Sequence, residues 1–452
     1  VFGLGPEWIL SDGGVPIADA MVFSHPEQIG RLAGSCPEAV PTAALAGDPC
    51  FDRILTARRH RERYRRALGV HPGRRLVLLN STWNPTSLFG DAGPEDVLPL
   101  LLPRLTSELP ADEYRVAAVL HPNIWHGHGP GQVRLWLDRA RRAGLALVDP
   151  LEGWRQALIA ADVVLGDFGS VSYYAAACGT PVLLGAADPQ ALGAESPVAA
   201  FVRSAPRLDP YGALLPQLDK LLAGHRPLEG PATLTTSDPG RSAALLRSLF
   251  YRLIGITEPT APAVLDPLPL PPYEPPLRTA PLLVLTRTGV DGAVAVRRFA
   301  EPRYEPDAEG EGHLAVHEDT LDPGVLEIAD VIFRYGEADD PRLGPPRTWA
   351  AEVLDRYRSA SLAAYVTDPR ACTVLHRSGL LFELTADSDG DPAAHASALL
   401  ARLRTGSGPA GAEDLTDLTD LTDPAGLADL VATGLTVRTG TRSARIRVTL
   451  LR

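Results

Sequence analysis

Lysine is nearly missing from this chain: Lys220 is the only one, and the other 42 of the 43 basic residues are arginines. Such a skew follows coding bias and says little about function. Positive charge is also outnumbered. With 43 Lys and Arg against 55 Asp and Glu, the net charge is −12, which argues against broad, non-specific nucleic-acid binding. Cysteine is scarce. Cys36, Cys50, Cys178 and Cys372 form no CxxC pair and stand at no spacing with His that suggests zinc. A disulfide scaffold is therefore excluded, and the four read as reduced thiols of a cytosolic protein. No apolar run approaches the ~20 residues of a bilayer-spanning helix. The start lacks a basic segment followed by an apolar stretch, so no signal peptide is expected. Residue 1 is Val and Met21 is the only methionine, which suggests a fragment or an alternative start codon.

What is present is an ordinary globular composition, 45% hydrophobic and 22% charged over 452 residues. At roughly 150 residues per domain, the length allows two to four domains. Residues 1–47 hold one short strand (Ala20–Ser24), one helix candidate (Pro26–Ala33) and a second extended piece (Thr42–Leu45), too little for a core. From Phe51 the pattern becomes regular. Arg53–Leu68 reads as a basic helix with Arg58, Arg59, Arg61, Arg63, Arg65 and Arg66, which would face solvent or, alternatively, phosphate or lipid headgroups. Apolar strands at Leu76–Leu79, Val116–Leu120, Ala146–Val148, Val163–Leu165 and Pro181–Leu184 alternate with helical stretches, which predicts a parallel α/β sheet covered on both faces. A proline-rich run from Glu258 to Leu277 predicts an extended linker over 257–278. Beyond it, 279–452 reads as a separate α+β domain, with helices at Thr348–Ala364 and Ala393–Leu403 and a terminal strand at Ala444–Leu450. A triple Asp-Leu-Thr repeat at Asp414–Thr422 reads as an acidic surface loop.

Ligands of a doubly wound sheet bind beyond the carboxyl ends of its strands. Three such ends carry polar groups: Ser81-Thr82-Trp83, His121-Pro122 and Asp167-Phe168-Gly169-Ser170. The last runs into a helix with Ser170 as the expected N-cap, and a helix start favours phosphate. Taken singly, each has a plainer use. Ser170 would only cap, His121 would only hydrogen-bond a loop, and Asp167 would only tie down a turn. His121, His126 and His128 cluster in HPNIWHGH, but no carboxylate lies at ligand spacing, so no metal site is expected there.

Four blocks in order, GDPCFDRI from Gly47, LLNSTW ending at Trp83, VLHP ending at Pro122 and LIAADVVLGDFGSVSYYAAACGTPVLL from Leu158, resemble the CDP-glycerol glycerophosphotransferase family. These are GT-B enzymes of teichoic-acid-type polymer synthesis. The resemblance implies a GT-B donor-binding domain over 48–256. Residues 1–47 would then be the remnant of an N-terminal Rossmann-like domain. It also implies transfer of glycerol phosphate, or a similar polyol phosphate, from a CDP-activated donor to a hydroxyl on a polymer or lipid-linked acceptor in cell-wall synthesis, with no cofactor and no metal. By resemblance His121 acts at the transferring phosphate as acid/base or charge stabiliser. Asp167 orients it or binds the acceptor hydroxyl. Ser81, Thr82, Gly169 and Ser170 hold the donor. The setting implied is cytoplasmic, while peripheral contact with the inner face of the cell membrane and homo-oligomer formation are left open. Three positions depart from the family pattern: Gly169 replaces a serine, Tyr174 an acidic residue that can hold the ribose, and Asn84 an arginine. Two alternatives stay open, a non-catalytic nucleotide-binding or scaffolding protein and a UDP-sugar glycosyltransferase or epimerase.

Overall fold

The computed structural model describes residues 4–91, 96–300, 308–406 and 424–451. The Asp-Leu-Thr repeat lies outside the described residues. Near the start, β1 (Met21–Phe23) and β2 (Ala43–Leu45) pair in parallel across the helix Pro26–Ser35, around a small core that includes Phe23 and Leu32.

The chain is α/β around a five-stranded parallel sheet. Its strands are β3 (Arg75–Ser81), β4 (Tyr114–Leu120), β5 (Ala146–Leu147), β6 (Val163–Gly166) and β7 (Val182–Leu184), in the order β5-β4-β3-β6-β7. Leu76 and Leu78 face a helical layer that includes Pro49–Ala57, Arg61–Ala67 and Ser170–Ala177. Val77 and Leu79 face the opposite layer, with Val97–Ser107 and Pro130–Arg142. Both faces are covered, so apolar residues run along the strands without alternation. The chain moves from β3 outward through β4 and β5, then crosses back to β6 and β7. Strand order therefore reverses between β3 and β6, the kind of switch point beyond whose carboxyl ends ligands of open α/β sheets bind.

The expected single basic helix is broken. Pro49–Ala57 and Arg61–Ala67 are joined by a 3₁₀ turn at Arg58–His60. The break lets Arg61 and Arg65 turn inward together onto Asp162, at 2.6 and 2.7 Å. The same guanidinium groups cap the carbonyls of Ile159 and Ala160 at a helix end. Two of the arginines are thus structural, while Arg58, Arg59, Arg63 and Arg66 stay exposed.

The C-terminal α+β part takes a definite form, a closed barrel. Its strands are β8 (Leu282–Thr288), β9 (Val294–Ala300), β10 (Glu311–His317), β11 (Val331–Tyr335), β12 (Leu362–Asp368), β13 (Ala371–His376), β14 (Leu381–Ala386), β15 (Leu435–Thr439) and β16 (Arg442–Leu451). The helix expected over Thr348–Ala364 stops at Arg356, and Leu362–Asp368 is a strand instead. Leu362, Ala363 and Ala364 suit a helix by themselves. Pairing with β11 on one side and β13 on the other overrides that preference. The helix Pro392–Gly406 packs against β8, β9 and β11 to β15 from inside the barrel. A helix enclosed by strands must be slim and largely apolar, and this one carries His395 and Ser397 as buried polar residues. Its alanines at 393, 394, 396, 398 and 401 meet that demand, and all are buried.

The barrel docks on the amino-terminal edge of the sheet. Arg298 on β9 binds Asp112, just before β4, through Nε at 2.9 Å and Nη2 at 2.6 Å, and reaches Asp391 at 2.8 Å. Burial alone would raise the Asp112 carboxyl, but Arg298 and then Arg74 hold it below its ordinary value. Arg297 adds a bond to Glu113 at 3.0 Å. The proline-rich segment lies along the α/β domain as a strap, with Leu268 buried and Gln156 donating to the Pro269 carbonyl at 3.0 Å. No helix among the described residues is long and apolar enough to cross a membrane.

Two outcomes follow from this packing. Asp112→Asn leaves the buried Arg298 short of charge and should cost about 3 kcal/mol, read as a lower urea midpoint with an unchanged slope. The barrel also buries His313, His376 and His395, whose pKa values burial pushes down to about 4. Their ordinary value is 6.5. The unfolded chain therefore takes up protons that the folded barrel refuses. Stability should be fully present above pH 6.5 and fall as pH drops toward about 4. Thermal unfolding across that range checks this, and His395→Leu should flatten the slope.

Candidate functional site

The switch point between β3 and β6 is organised by one carboxylate. Asp167 follows β6 and is fully buried. Its Oδ2 accepts from the Ser81 hydroxyl at 3.1 Å, the Thr82 N–H at 2.9 Å and the Leu88 N–H at 3.0 Å. Its Oδ1 accepts from the Gly169 N–H at 2.9 Å. Ser81 in turn accepts from the Phe89 N–H at 2.8 Å, so the loop after β3 is pinned at both ends. Burial raises the Asp167 carboxyl above its ordinary range, while the Leu88, Thr82, Gly169 and Ser81 hydrogen bonds pull it back. Three donors meet Oδ2 and one meets Oδ1, all of them from the protein, so within the fold Asp167 ties the β3 loop to the turn that starts the next helix.

Asn80 and Ser172 support the clamp from below. The Ser172 hydroxyl donates to Asn80 Oδ1 at 3.2 Å, and a Cβ on Gly166 would lie 2.2 Å from Asn80 Nδ2. A single Asn closing the apolar run Leu76–Leu79 was the available signal for this pair. Gly169 is similarly tight: a Cβ there would sit 3.0 Å from Asp167 Oδ1 and 3.2 Å from the Thr82 Cβ. The serine of the family pattern would press on that loop.

The N-cap of the helix Ser170–Ala177 is Gly169, not Ser170. Ser170 is the first helical residue and is exposed. Tyr173 is the first N–H to find an in-helix partner, the Gly169 carbonyl.

His121 follows β4, beside the end of β3, and its N–H donates to the Ser81 carbonyl at 3.0 Å. Its ring Nδ1 accepts from the Asn123 N–H at 3.1 Å, capping the helix Pro122–His128. Burial holds its pKa below the ordinary value, against the opposing pull of Asp167. A neutral ring with Nδ1 accepting carries its proton on Nε2, so His121 presents a donor. Trp83 lies beside it, ring centroids 6.2 Å apart. The other histidines of the cluster diverge. His128 packs edge-on against Trp136, and His126 is exposed. Among the described residues no group of three or more His, Cys, Asp or Glu side chains gathers as a metal site.

Tyr174 is tied down rather than open. Its hydroxyl donates to Asp48 Oδ2 at 2.7 Å, and its ring lies between Phe51 and Trp154 with centroids 6.0 and 5.9 Å away. Asp48 also caps the helix Pro49–Ala57 through Phe51. The pattern Asp48-Pro49 at a helix start signals the cap, but nothing in the sequence signals the reach of 126 residues to Tyr174.

No protein-family model matches the chain, and no curated protein matches it. Solved structures do align with part of it. The wall teichoic acid polymerase TagF, in a structure soaked with CDPG, is 16% identical over 52% of this chain and 57% of its own, with a TM-score of 0.38. A glycosyltransferase from Rickettsia africae ESF-5 is 10% identical over 54% and 64%, with a TM-score of 0.30. UDP-GlcNAc 2-epimerase from Neisseria meningitidis, bound to UDP-GlcNAc, is 13% identical over 52% and 61%, also at 0.30. The chain thus spans less than two thirds of the length of these structures. Identities and scores this low transfer no residue role or substrate.

The clamp carries its own test. Asp167→Asn turns an acceptor into a donor facing N–H groups. It should cost about 3 kcal/mol and speed hydrogen exchange at Thr82–Phe89. Unchanged exchange there would show that the loop does not depend on Asp167.

Proposed function

We propose that the carboxyl edge of the sheet binds a CDP-activated glycerol, or a related polyol, and passes its polyol phosphate to a hydroxyl on a polymer or lipid-linked acceptor of cell-wall synthesis, with CMP leaving as the P–O bond to it breaks and the hydroxyl's proton passing to solvent. The observation that carries this reading is the neutral His121 beside the Asp167-clamped loop, at the switch point of a parallel sheet. Phosphoryl transfer spreads negative charge over oxygens, and positioned donors supply most of the stabilisation. In this reading His121 donates its Nε2–H to a phosphoryl oxygen. Thr82 holds the donor from the β3 loop. The N–H groups of the helix starting at Ser170 receive the diphosphate. Asp167 and Ser81 hold these parts in register without touching substrate. The four sequence blocks of the family resemblance support the donor assignment.

A second reading has its own observation. Tyr174, where the family pattern has an acid for the ribose, is engaged with Asp48. That favours a protein which binds a nucleotide without turning it over. Calorimetric titration with CDP-glycerol, CDP and UDP-GlcNAc separates the readings when combined with a transfer assay. The transferase predicts preference for CDP-glycerol, and His121→Ala should lower turnover by about 10²-fold with donor affinity retained. Binding without turnover selects the second reading, and preference for the UDP-sugar overturns the cytidine assignment.

A further inference from the structure

The basic segment after Pro49 has a use that the sheet does not absorb. Arg61 and Arg65 are neutralised by Asp162, but among the described residues no carboxylate pairs with Arg53, Arg59 or Arg63. Arg53 donates to the Asp266 backbone carbonyl at 2.9 Å, and Arg59 to His60 Nε2 at 3.2 Å. These four cationic or titratable groups line one wall of a cavity of about 560 Å³ between the broken helix and the proline-rich strap. Among the described residues Asp266 is the only acid on the lining.

The opposite wall is different in kind. The strap turns Val264, Leu265, Leu268 and Leu270 toward the same cavity. Leu268 is buried and anchors the strap, while Val264 and Leu270 remain 83% and 61% exposed. Apolar side chains left that open gain by being covered. The Tyr64 hydroxyl donates to the Leu268 carbonyl at 3.4 Å, and Gly240 and Ala243 also line the cavity. The volume falls in the roughly 300–1,000 Å³ range of small-molecule sites. A cavity with unpaired arginines on one wall and leucines on the other matches a ligand with an anionic head and an apolar body. Guanidinium groups favour the planar, multidentate oxygens of phosphate.

We infer that this cavity is a binding site for a phosphate-bearing amphiphile, its phosphate on Arg59 and Arg63 and its hydrocarbon part along the strap. The inference does not rest on the transferase reading, because the cavity flanks the helical layer and shares no residue with the site at Asp167.

Isothermal titration with decyl phosphate tests it, with inorganic phosphate and decyl maltoside as half-ligands. Decyl phosphate should bind saturably and more tightly than either half-ligand. Arg59→Met with Arg63→Met, both exposed positions that leave the core intact, should weaken binding roughly tenfold. Leu265→Asp should weaken it to a similar, roughly tenfold extent from the other wall. Unfolding midpoints of the variants confirm that the fold is kept. Equal binding of decyl maltoside, equal binding of inorganic phosphate, or wild-type affinity in the arginine pair would each overturn the site. Phosphatidylglycerol vesicles separate the sources of the ligand. Co-sedimentation that decyl phosphate competes away supports a bilayer lipid headgroup. Decyl phosphate binding without co-sedimentation supports a soluble phosphoester. Vesicle binding that survives the arginine substitutions counts against the cavity.

Discussion

A single buried carboxylate holds the candidate site together. Asp167 lies at the end of β6 and collects donors from the end of β3, from the loop that follows it and from the turn into the next helix. Burying an ion is costly unless its lone pairs are met, and here backbone N–H groups meet them. The consequence is geometric. The β3 loop, the helix start at Ser170 and, through the Ser81 carbonyl, the end of β4 with His121 are set in one register. The chemistry available at this edge then belongs to donors: the His121 Nε2–H and free backbone amides.

A second buried electrostatic group does for the domains what Asp167 does for the site. Arg298 bridges Asp112 of the α/β domain and Asp391 at the entry to the barrel's central helix. Because this contact sits before β4, the barrel packs on the amino edge of the sheet, away from His121 and Asp167. The barrel is therefore no wall of the site. Its own interior is filled by an alanine-rich helix, which leaves it packed rather than hollow.

The strap joins these two arrangements and adds a third. An extended proline-rich chain has few internal hydrogen bonds, so it follows whatever surface it meets. Here it meets the broken basic helix at a distance that leaves a cavity between arginines and leucines. Tying the strap at Leu268, Pro269 and, near its end, Thr279 fixes that gap.

The parallel sheet was legible in the sequence because its strands are short apolar runs separated by helices, and such local signals survive without knowledge of the fold. The polar residues at its strand ends, His121 and Asp167, were legible for the same reason. Their roles were not. Whether Asp167 faces a ligand or the loop depends on where Leu88 and Gly169 come to lie, and that is set by pairing β3 with β6, 86 residues apart. The barrel was hidden because β12 opens with the helix-compatible Leu362, Ala363 and Ala364, which join a strand only between two neighbours. Composition by itself determined that the chain carries no long apolar span, no cysteine framework and an excess of negative charge. Tertiary structure alone decided which arginines are spent on Asp162, Asp112 and Asp391 and which are left facing a cavity, because ion pairs between distant segments form only once the segments are packed.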